Sequence, residues 1–471
     1  METKALQARV EGKVTRATDD GYEQLRRAMT WNQLTPARYP ELIVQAATEQ
    51  DVVEAVRFAH ANEIKVAVRG GGHSWVGFSL RDAGLLIDLG NLKQVSIDAE
   101  ARTATVQPGA TGRELNDQLA AHGLAFPVGH APSVPMSGFL LNGGLGWNFN
   151  SWGPACFSVE AAHVVTADGR LVFASQEQHA DLLWAIRGGG PGFFGVVTQY
   201  TLRLYSVPRA ITSSTYFYPV ERIAEIGEWL ADVTKRLPSE VELTMFVSPA
   251  PPELAEQCRS ANGFVAILAA TAFLHSEREA VAALSLLESC PVINECLHKE
   301  LNLPTPFDAL LDMGERLWPE RHHYLVDTLW SNSPPGQQLA AVRDHFLRAP
   351  SPKSLALCVF STGIQGNAVV RADAAFSMTA RTLILCYAIW ERPEDTIANT
   401  AWFREMISAL DMFAVGYYVG ESDIVAEPER AERSFVRANW QRLQELRRRY
   451  DPDGLFHGYF SRGEITIQSV A

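Results

Sequence analysis

The sequence has few of the features that mark metal-binding, disulfide-stabilised or membrane proteins. Its six cysteines are scattered over 471 residues, at positions 156, 258, 290, 296, 358 and 386, and none belongs to a CxxC pair. Such spacing favours neither a zinc ribbon nor a disulfide framework. No apolar run is long enough to span a bilayer, and Met1 to Thr15 lacks the hydrophobic core of a signal peptide. We therefore expect a cytoplasmic protein with no metal and no membrane partner.

Basic residues are also in the minority. The chain has 41 Lys and Arg against 54 Asp and Glu, which gives a formal net charge of −13. An acidic surface of this kind argues against nucleic acid as a partner. Hydrophobic residues make up 47% and charged residues 20%, an ordinary globular balance, and the length predicts two or three domains.

Up to about Tyr205, short strands alternate with helices. Glu49 to Asn62 has the apolar spacing of an amphipathic helix. Lys65 to Val68 is a predicted strand that leads directly into a glycine-rich loop. Val159 to Thr166 and Arg170 to Ala174 predict a hairpin, because the intervening Asp-Gly suits a two-residue turn.

From about Ser206 to Gly420 the predicted strands become longer and alternate with helices in a weak internal repeat. This pattern favours an antiparallel sheet with helices on one face, whose open face could cover a cofactor. The predicted helices are 221–236, 276–289, 337–348 and 393–410. Glu427 to Tyr450 is then predicted as one charged amphipathic helix.

Two glycine-rich segments are candidates for cofactor contact. Gly70, Gly71 and Gly72 would let backbone N–H groups converge on an anion such as a pyrophosphate, with Arg69 before them to neutralise charge. His73 and Ser74 follow directly. The alternative for this loop is an ordinary glycine-rich turn with a surface histidine.

The second segment runs from Gly138 to Gly146 and includes Gly143 and Gly144. Cys156 lies ten residues further on, and from the local residues alone a buried structural thiol is the more common role. The string at 190–195 matches GxGxxG, but a predicted helix precedes it and a strand follows. A nicotinamide-binding fingerprint has the reverse order, so we exclude that function here.

The order of these motifs resembles the berberine-bridge-enzyme-like FAD-linked oxidases of the vanillyl-alcohol-oxidase superfamily. The motifs include Val68 to Ser74, Val106 to Ala110, Gly143 to Gly146, Asp181 to Gly190, and Arg449 to Phe456. The resemblance spans nearly the whole chain. It implies an α+β fold, with a PCMH-type FAD-binding domain of two α/β subdomains and a substrate domain whose antiparallel sheet carries helices on one face. The expected boundaries are 1–205 for the FAD domain, 206–420 for the substrate domain, and 421–471 for a segment that returns to the FAD domain.

The resemblance also implies roles for single residues. It predicts FAD bonded covalently to His73 and to Cys156, and Val159 as a residue that admits oxygen to the flavin. Oxygen would then accept the electrons and give hydrogen peroxide. The remaining positions expected to contact the cofactor are Arg69, Gly70, Gly71, Gly72, Ser74, Gly138, Gly143, Gly144, Gly146, Gly195 and Val197.

Oxidation of an alcohol or amine needs an acceptor for the O–H or N–H proton. The candidates are Tyr417, Tyr418, Glu421 and Tyr387. Consecutive strand residues point to opposite faces, so one of Tyr417 and Tyr418 should face the cofactor. We expect a small organic substrate of the secondary-metabolite type, since sheet residues such as Phe246, Cys358 and Leu385 are apolar. An oligosaccharide oxidase, a dehydrogenase with another electron acceptor, and a non-catalytic binding protein are the alternatives.

Overall fold

The computed structural model describes residues 3–363 and 370–461, and their secondary structure forms four β-sheets with helices packed against them. The strands are β1 Lys13–Arg16, β2 Leu42–Gln45, β3 Val66–Arg69, β4 Leu85–Asp88, β5 Val95–Asp98, β6 Thr103–Val106, β7 Leu124–Ala125, β8 Val159–Val165, β9 Leu171–Ala174, β10 Val196–Arg203, β11 Tyr205–Ser206, β12 Ala210–Pro219, β13 Val241–Pro249, β14 Phe264–Leu274, β15 His298–Pro304, β16 His323–Ser331, β17 Leu355–Phe360, β18 Thr382–Trp390 and β19 Ala414–Gly416. The helices are α1 Thr3–Gln7, α2 Tyr22–Ala28, α3 Glu49–Ala61, α4 Gly112–Ala120, α5 Met136–Leu141, α6 Phe149–Trp152, α7 Ala180–Ile186, α8 Ile223–Val233, α9 Glu277–Leu284, α10 Phe307–Leu317, α11 Pro335–Phe346, α12 Thr396–Leu410, α13 Glu429–Arg433 and α14 Arg437–Tyr450.

The first sheet has the order β1-β2-β4-β3, with β2, β4 and β3 parallel and β1 antiparallel. Helix α3 covers it and begins at a capping box, in which Thr48 Oγ1 accepts the N–H of Asp51 and the Asp51 carboxylate accepts the N–H of Thr48. The parallel strand β3 ends where the glycine-rich loop begins. The loop is therefore presented at the carboxyl edge of the sheet, where ligands of α/β proteins commonly bind.

The second sheet has the order β5-β6-β10-β8-β9 and is antiparallel throughout. The predicted hairpin is confirmed as β8 and β9, and Gly169 in its turn has φ +73°. The string 190–195 lies between α7 and β10, which confirms the helix-then-strand order that excluded a nicotinamide fingerprint.

The third large unit is an eight-stranded antiparallel sheet of order β15-β12-β14-β13-β17-β18-β16-β19. Its strands alternate between two faces, so Leu243 and Met245 of β13 pack among the helices while Thr244 and Phe246 face the other way. Helices α8, α9, α11 and α12 cover one face. Cys358, named above among the apolar sheet residues, packs on this helical face and does not line the open face.

The tail differs from its prediction as one helix. It forms α13 and α14, which are separated because the Ser434 hydroxyl donates to Arg430 O at 2.7 Å and the Val436 N–H donates to Ser377 Oγ at 3.1 Å. Phe456 then forms a parallel bridge with Val66 of β3. The α+β fold class is confirmed, while the domain boundaries near residues 205 and 420 stay predictions. None of the helices in the described ranges is long and apolar enough to cross a membrane.

Candidate active site

A cavity of about 720 Å³ lies between the glycine-rich loop and the open face of the eight-stranded sheet. Loop and strand residues of the first two sheets form one wall, and side chains of β13, β17 and β18 form the opposite wall. The cavity brings together most of the predicted site residues, namely Arg69, Gly70, Gly71, Gly72, His73, Ser74, Gly138, Gly146, Gly195, Val197, Tyr387, Tyr418 and Glu421.

The loop glycines are required by close packing behind the cavity wall. A Cβ on Gly70 would lie 1.6 Å from Ser137 Oγ, and one on Gly71 would lie 2.0 Å from Pro135 Cγ. Gly72 has φ +74°, which disfavours other residues. Within residues 3–363 and 370–461, the N–H groups of the three glycines have no hydrogen-bond acceptor. Such free donors fit a loop that binds an anionic group.

Arg69 stabilises this loop through hydrogen bonds, and its guanidinium is paired with a carboxylate. Its Nη1 lies 2.7 Å from the Asp88 carboxylate, and its Nε donates to Met29 O at 3.0 Å. Because Asp88 balances its charge, Arg69 is poorly suited to the predicted neutralisation of a phosphate.

His73 lies on the cavity wall and stacks against Trp31, with ring centroids 5.4 Å apart. Burial and the charge of Arg69 lower the pKa of His73 to about 4, although a hydrogen bond to the backbone of Ser133 opposes this shift. The imidazole is therefore neutral at physiological pH, the form whose ring nitrogen has a lone pair available for bonding.

Cys156 is not on the cavity wall. It lies in a 3-10 turn, Ala155–Ser158, is 0% exposed, and packs with Phe149 and Phe157. Burial raises the pKa of its thiol far above the ordinary value, so the nucleophilic thiolate is disfavoured. The structure thus argues against the predicted second bond to the flavin and matches the alternative of a buried structural thiol.

Three other residues that were predicted to contact the cofactor, Gly143, Gly144 and Val159, also lie outside the cavity lining. A Cβ on Gly143 would meet the ring of Phe376 at 2.5 Å, and one on Gly144 would meet Ala155 at 2.8 Å. Val159 is fully buried, and its carbonyl accepts two hydrogen bonds from the Arg187 guanidinium. These residues lie outside the cavity lining, and the role of Val159 in admitting oxygen stays a prediction.

The four candidate bases lie in different environments. Tyr417 packs on the helical side of the sheet, where its hydroxyl bonds to Asp411. Tyr418 and Tyr387 line the cavity, but burial raises the pKa of both phenols above the ordinary value, so each remains protonated. A protonated phenol is a hydrogen-bond donor and a poor base at neutral pH.

Glu421 is the remaining candidate, and its Oε2 accepts from Tyr387 Oη at 2.7 Å and from Trp75 Nε1 at 3.2 Å. Burial raises the pKa of Glu421, while the bonds from Tyr387 and Trp75 and the nearby charge of His130 act in the opposite direction. A carboxylate whose pKa is raised is a stronger base than an ordinary one. Glu421 is thus the best placed acceptor among the predicted residues.

The sequence prediction missed a second acid–base pair in the cavity. His130 Nε2 lies 2.6 Å from Glu242 Oε1, and Glu242 Oε2 accepts the backbone N–H of Asn148 at 3.0 Å. Burial lowers the pKa of His130, but the Glu242 carboxylate outweighs it and the net shift is upward. The available signal was Glu242 itself, the one acidic residue that alternates with Thr244 and Phe246 on the open face of β13.

Comparison with known proteins agrees with this geometry. Residues 40–175 match an FAD binding domain. The chain is 28% identical over 402 residues to the FAD-linked oxidoreductase ptmO of Penicillium ochrochloron, covering 85% of this chain and 86% of that protein.

Solved structures of low identity share the whole fold. The 6-hydroxy-D-nicotine oxidase of Arthrobacter nicotinovorans superposes with a TM-score of 0.82 at 21% identity, covering 96% of this chain and 98% of that one. The berberine bridge enzyme of Eschscholzia californica gives 0.80 at 20% identity, covering 97% and 98%. The protein is therefore an FAD-dependent oxidoreductase. Its chain is similar to FAD-linked oxidoreductases over most of its length and has the fold of the berberine bridge enzyme, as the motif order predicted.

Proposed function

We propose that the protein is an oxidase that carries FAD covalently on His73 and oxidises a small organic alcohol or amine. The observation that supports this proposal most strongly is the position of Glu421. It is a partly buried carboxylate in the cavity that has His73 and the glycine-rich loop on one wall and the open sheet on the other.

The residues present fit FAD. Free N–H groups of Gly70, Gly71 and Gly72 would hold its pyrophosphate, and Gly138, Gly146, Gly195 and Val197 leave backbone surface for its ring system. The neutral imidazole of His73, oriented by Trp31 and Ser133, would hold the flavin through its ring nitrogen. The placement of Cys156 does not support a second tether, so His73 alone carries the attachment.

Glu421 would receive the proton that leaves the substrate oxygen or nitrogen. Tyr387 and Trp75 fix the carboxylate by donating to Oε2, which leaves Oε1 for the substrate. Bound FAD supplies the two-electron acceptor for the hydride that leaves the substrate carbon, and oxygen then takes the electrons to give hydrogen peroxide.

The substrate wall is mostly apolar. Phe246, Leu357, Leu385 and Trp330 line it, with Thr244 and Thr271 among the few polar groups. Such a lining suits a secondary-metabolite type of substrate better than an oligosaccharide. Oxygen as the electron acceptor is proposed from two points: the expected role of Val159, and the name of a structure that shares this fold, 6-hydroxy-D-nicotine oxidase.

The attachment is tested by precipitating the pure protein with acid and mapping flavin-bearing peptides by mass spectrometry. Flavin should stay with the pellet on the peptide that contains His73, and the His73→Ala variant should release it to the supernatant. Flavin in the wild-type supernatant, or on a peptide lacking His73, would contradict the attachment. Hydrogen peroxide formation with a panel of alcohols and amines then separates an oxidase from a dehydrogenase.

A further inference from the structure

The imidazole of His73 is held on one face and at one nitrogen. Its ring stacks on that of Trp31, with centroids 5.4 Å apart and planes 24° apart, and both side chains line the cavity. An N–H of the imidazole donates to the backbone carbonyl of Ser133. One nitrogen is thus occupied by a hydrogen bond, so the other carries the lone pair that could bond to the flavin.

Backbone hydrogen bonds fix Trp31 beside this ring. The Trp31 N–H donates to Gly72 O at 2.9 Å, and Arg69 Nε donates to Met29 O at 3.0 Å. The segment that follows α2 is therefore joined at two points to the loop that carries His73. The indole is thus held against the imidazole from its own backbone.

Asn32 connects the same segment to the eight-stranded sheet. Its Nδ2 donates to Trp75 O at 2.8 Å and to Tyr324 O at 2.9 Å, and its Oδ1 accepts the Tyr324 N–H at 3.0 Å. Tyr324 belongs to β16, and the centroid of its ring lies 5.3 Å from that of Trp31. Asn32 is 2% exposed, so its bonds to Tyr324 are shielded from water. Trp31 is therefore fixed between the glycine-rich loop and the eight-stranded sheet.

A bond to carbon would leave the imidazole of His73 positively charged, because its second nitrogen keeps the N–H that donates to Ser133. The charge of Arg69 opposes this change, although the Asp88 carboxylate lies 2.7 Å from the guanidinium and balances part of that charge. Aromatic faces attract cations within about 6 Å, indole most strongly, and the attraction grows where water is excluded. Trp31 covers the His73 ring within that distance. It therefore favours the charged product over the neutral imidazole.

We propose that Trp31 is a positioning residue for the covalent attachment of FAD, which orients the His73 ring and stabilises the positive charge that the ring gains. This inference rests on the attachment to His73 in the proposed function and names the side chain that promotes it. The free nitrogen of His73 bonds to a methyl carbon of the flavin ring as one C–H bond of that methyl group breaks. The proton and the electron pair of the C–H bond pass to molecular oxygen, which takes one more proton from water and becomes hydrogen peroxide.

The test follows covalent attachment over time. Full-length protein purified from riboflavin-starved cells is mixed with FAD, and the flavin that stays with the acid-precipitated pellet is measured by absorbance at intervals. Flavin that remains bound after gel filtration, before precipitation, reports whether each variant is folded and binds FAD. We expect Trp31→Leu to bind as much FAD as the wild type and to attach it at least about tenfold more slowly. Trp31→Phe, which keeps a weaker aromatic face, should attach it about threefold more slowly.

Trp152→Leu is the matched control, because that indole stacks on Tyr205 at 4.7 Å outside the cavity lining. Its rate of attachment should equal that of the wild type. A wild-type rate in Trp31→Leu, or a rate that falls only in proportion to the FAD bound, would overturn the role of Trp31. If Trp31→Leu binds no FAD, Trp31→Phe supplies the decision, and a wild-type rate in that variant would overturn the proposal. Wild-type protein that binds FAD and never attaches it would refute the attachment to His73 itself.

Discussion

The hydrogen bond from Tyr387 to Glu421 gives a prediction whose size follows from the structure. The bond is 2.7 Å long and partly buried, and it favours the ionised form of Glu421 against the effect of burial. A hydrogen bond to a charged group contributes about 1.5–3 kcal/mol. Tyr387→Phe removes about that much stabilisation of the ionised form, so it should raise the pKa of Glu421 further.

The expected result concerns the acid side of the pH profile. Glu421 acts as a base only when ionised, so a higher pKa shifts the rise of activity towards higher pH. The assay is the rate of anaerobic flavin reduction by one alcohol or amine substrate across pH 5 to about 10. Above the new pKa the variant should approach the wild-type rate, because the phenyl ring still packs against Trp75 and Trp318.

Tyr417→Phe is the matched control. It removes the same hydroxyl from a buried tyrosine on the helical face of the sheet, where the partner is Asp411. Its pH profile should coincide with that of the wild type. If the profile of Tyr387→Phe also coincides with the wild type, Glu421 is not the proton acceptor that the geometry indicates.

Two further predictions concern the side of the cavity formed by the glycine-rich segments. Cys156→Ser should keep the full flavin content after acid precipitation, because the thiol lies outside the cavity. If absorbance shows that this variant loses flavin, the second covalent bond, through Cys156, is supported after all. Gly71→Ala should lower the free energy of unfolding by about 1–3 kcal/mol, because its Cβ would lie 2.0 Å from Pro135. Gly138→Ala, whose Cβ meets its nearest neighbour at 3.8 Å, should leave the denaturation midpoint close to that of the wild type.

Much of the fold could be predicted because local patterns agree with it. Helix α3 was placed within one residue by its apolar spacing, and the β8–β9 hairpin by its Asp-Gly turn. The strand β15 was missed because all its residues are exposed at the edge of the large sheet, so no alternation marks it. The prediction of a single tail helix was wrong because the Val436 N–H donates to Ser377 Oγ instead of to a helical carbonyl, and spacing along the chain does not reveal such a tertiary bond.

The sequence predicted those parts of the site whose residues are adjacent in the chain. It did not predict contacts between residues that are distant in the chain. His73 and the loop glycines are adjacent in sequence, so their shared role could be inferred from one segment. The pairing of Glu421 with Tyr387 and Trp75, and of His130 with Glu242, joins residues far apart in the chain. Cys156 is the opposite case. It is close in sequence to a glycine-rich segment, but it does not line the cavity.

The bridge between Val66 and Phe456 has a consequence for how the protein matures. Val66 donates to Leu455 O, His457 donates to Val66 O, and Leu455 and Phe456 complete the apolar core beneath β3. The strand that presents the glycine-rich loop therefore gains its last neighbour only after almost the whole described chain has left the ribosome. We therefore expect flavin to load only after this segment has been synthesised, and a chain truncated before Leu455 should remain colourless.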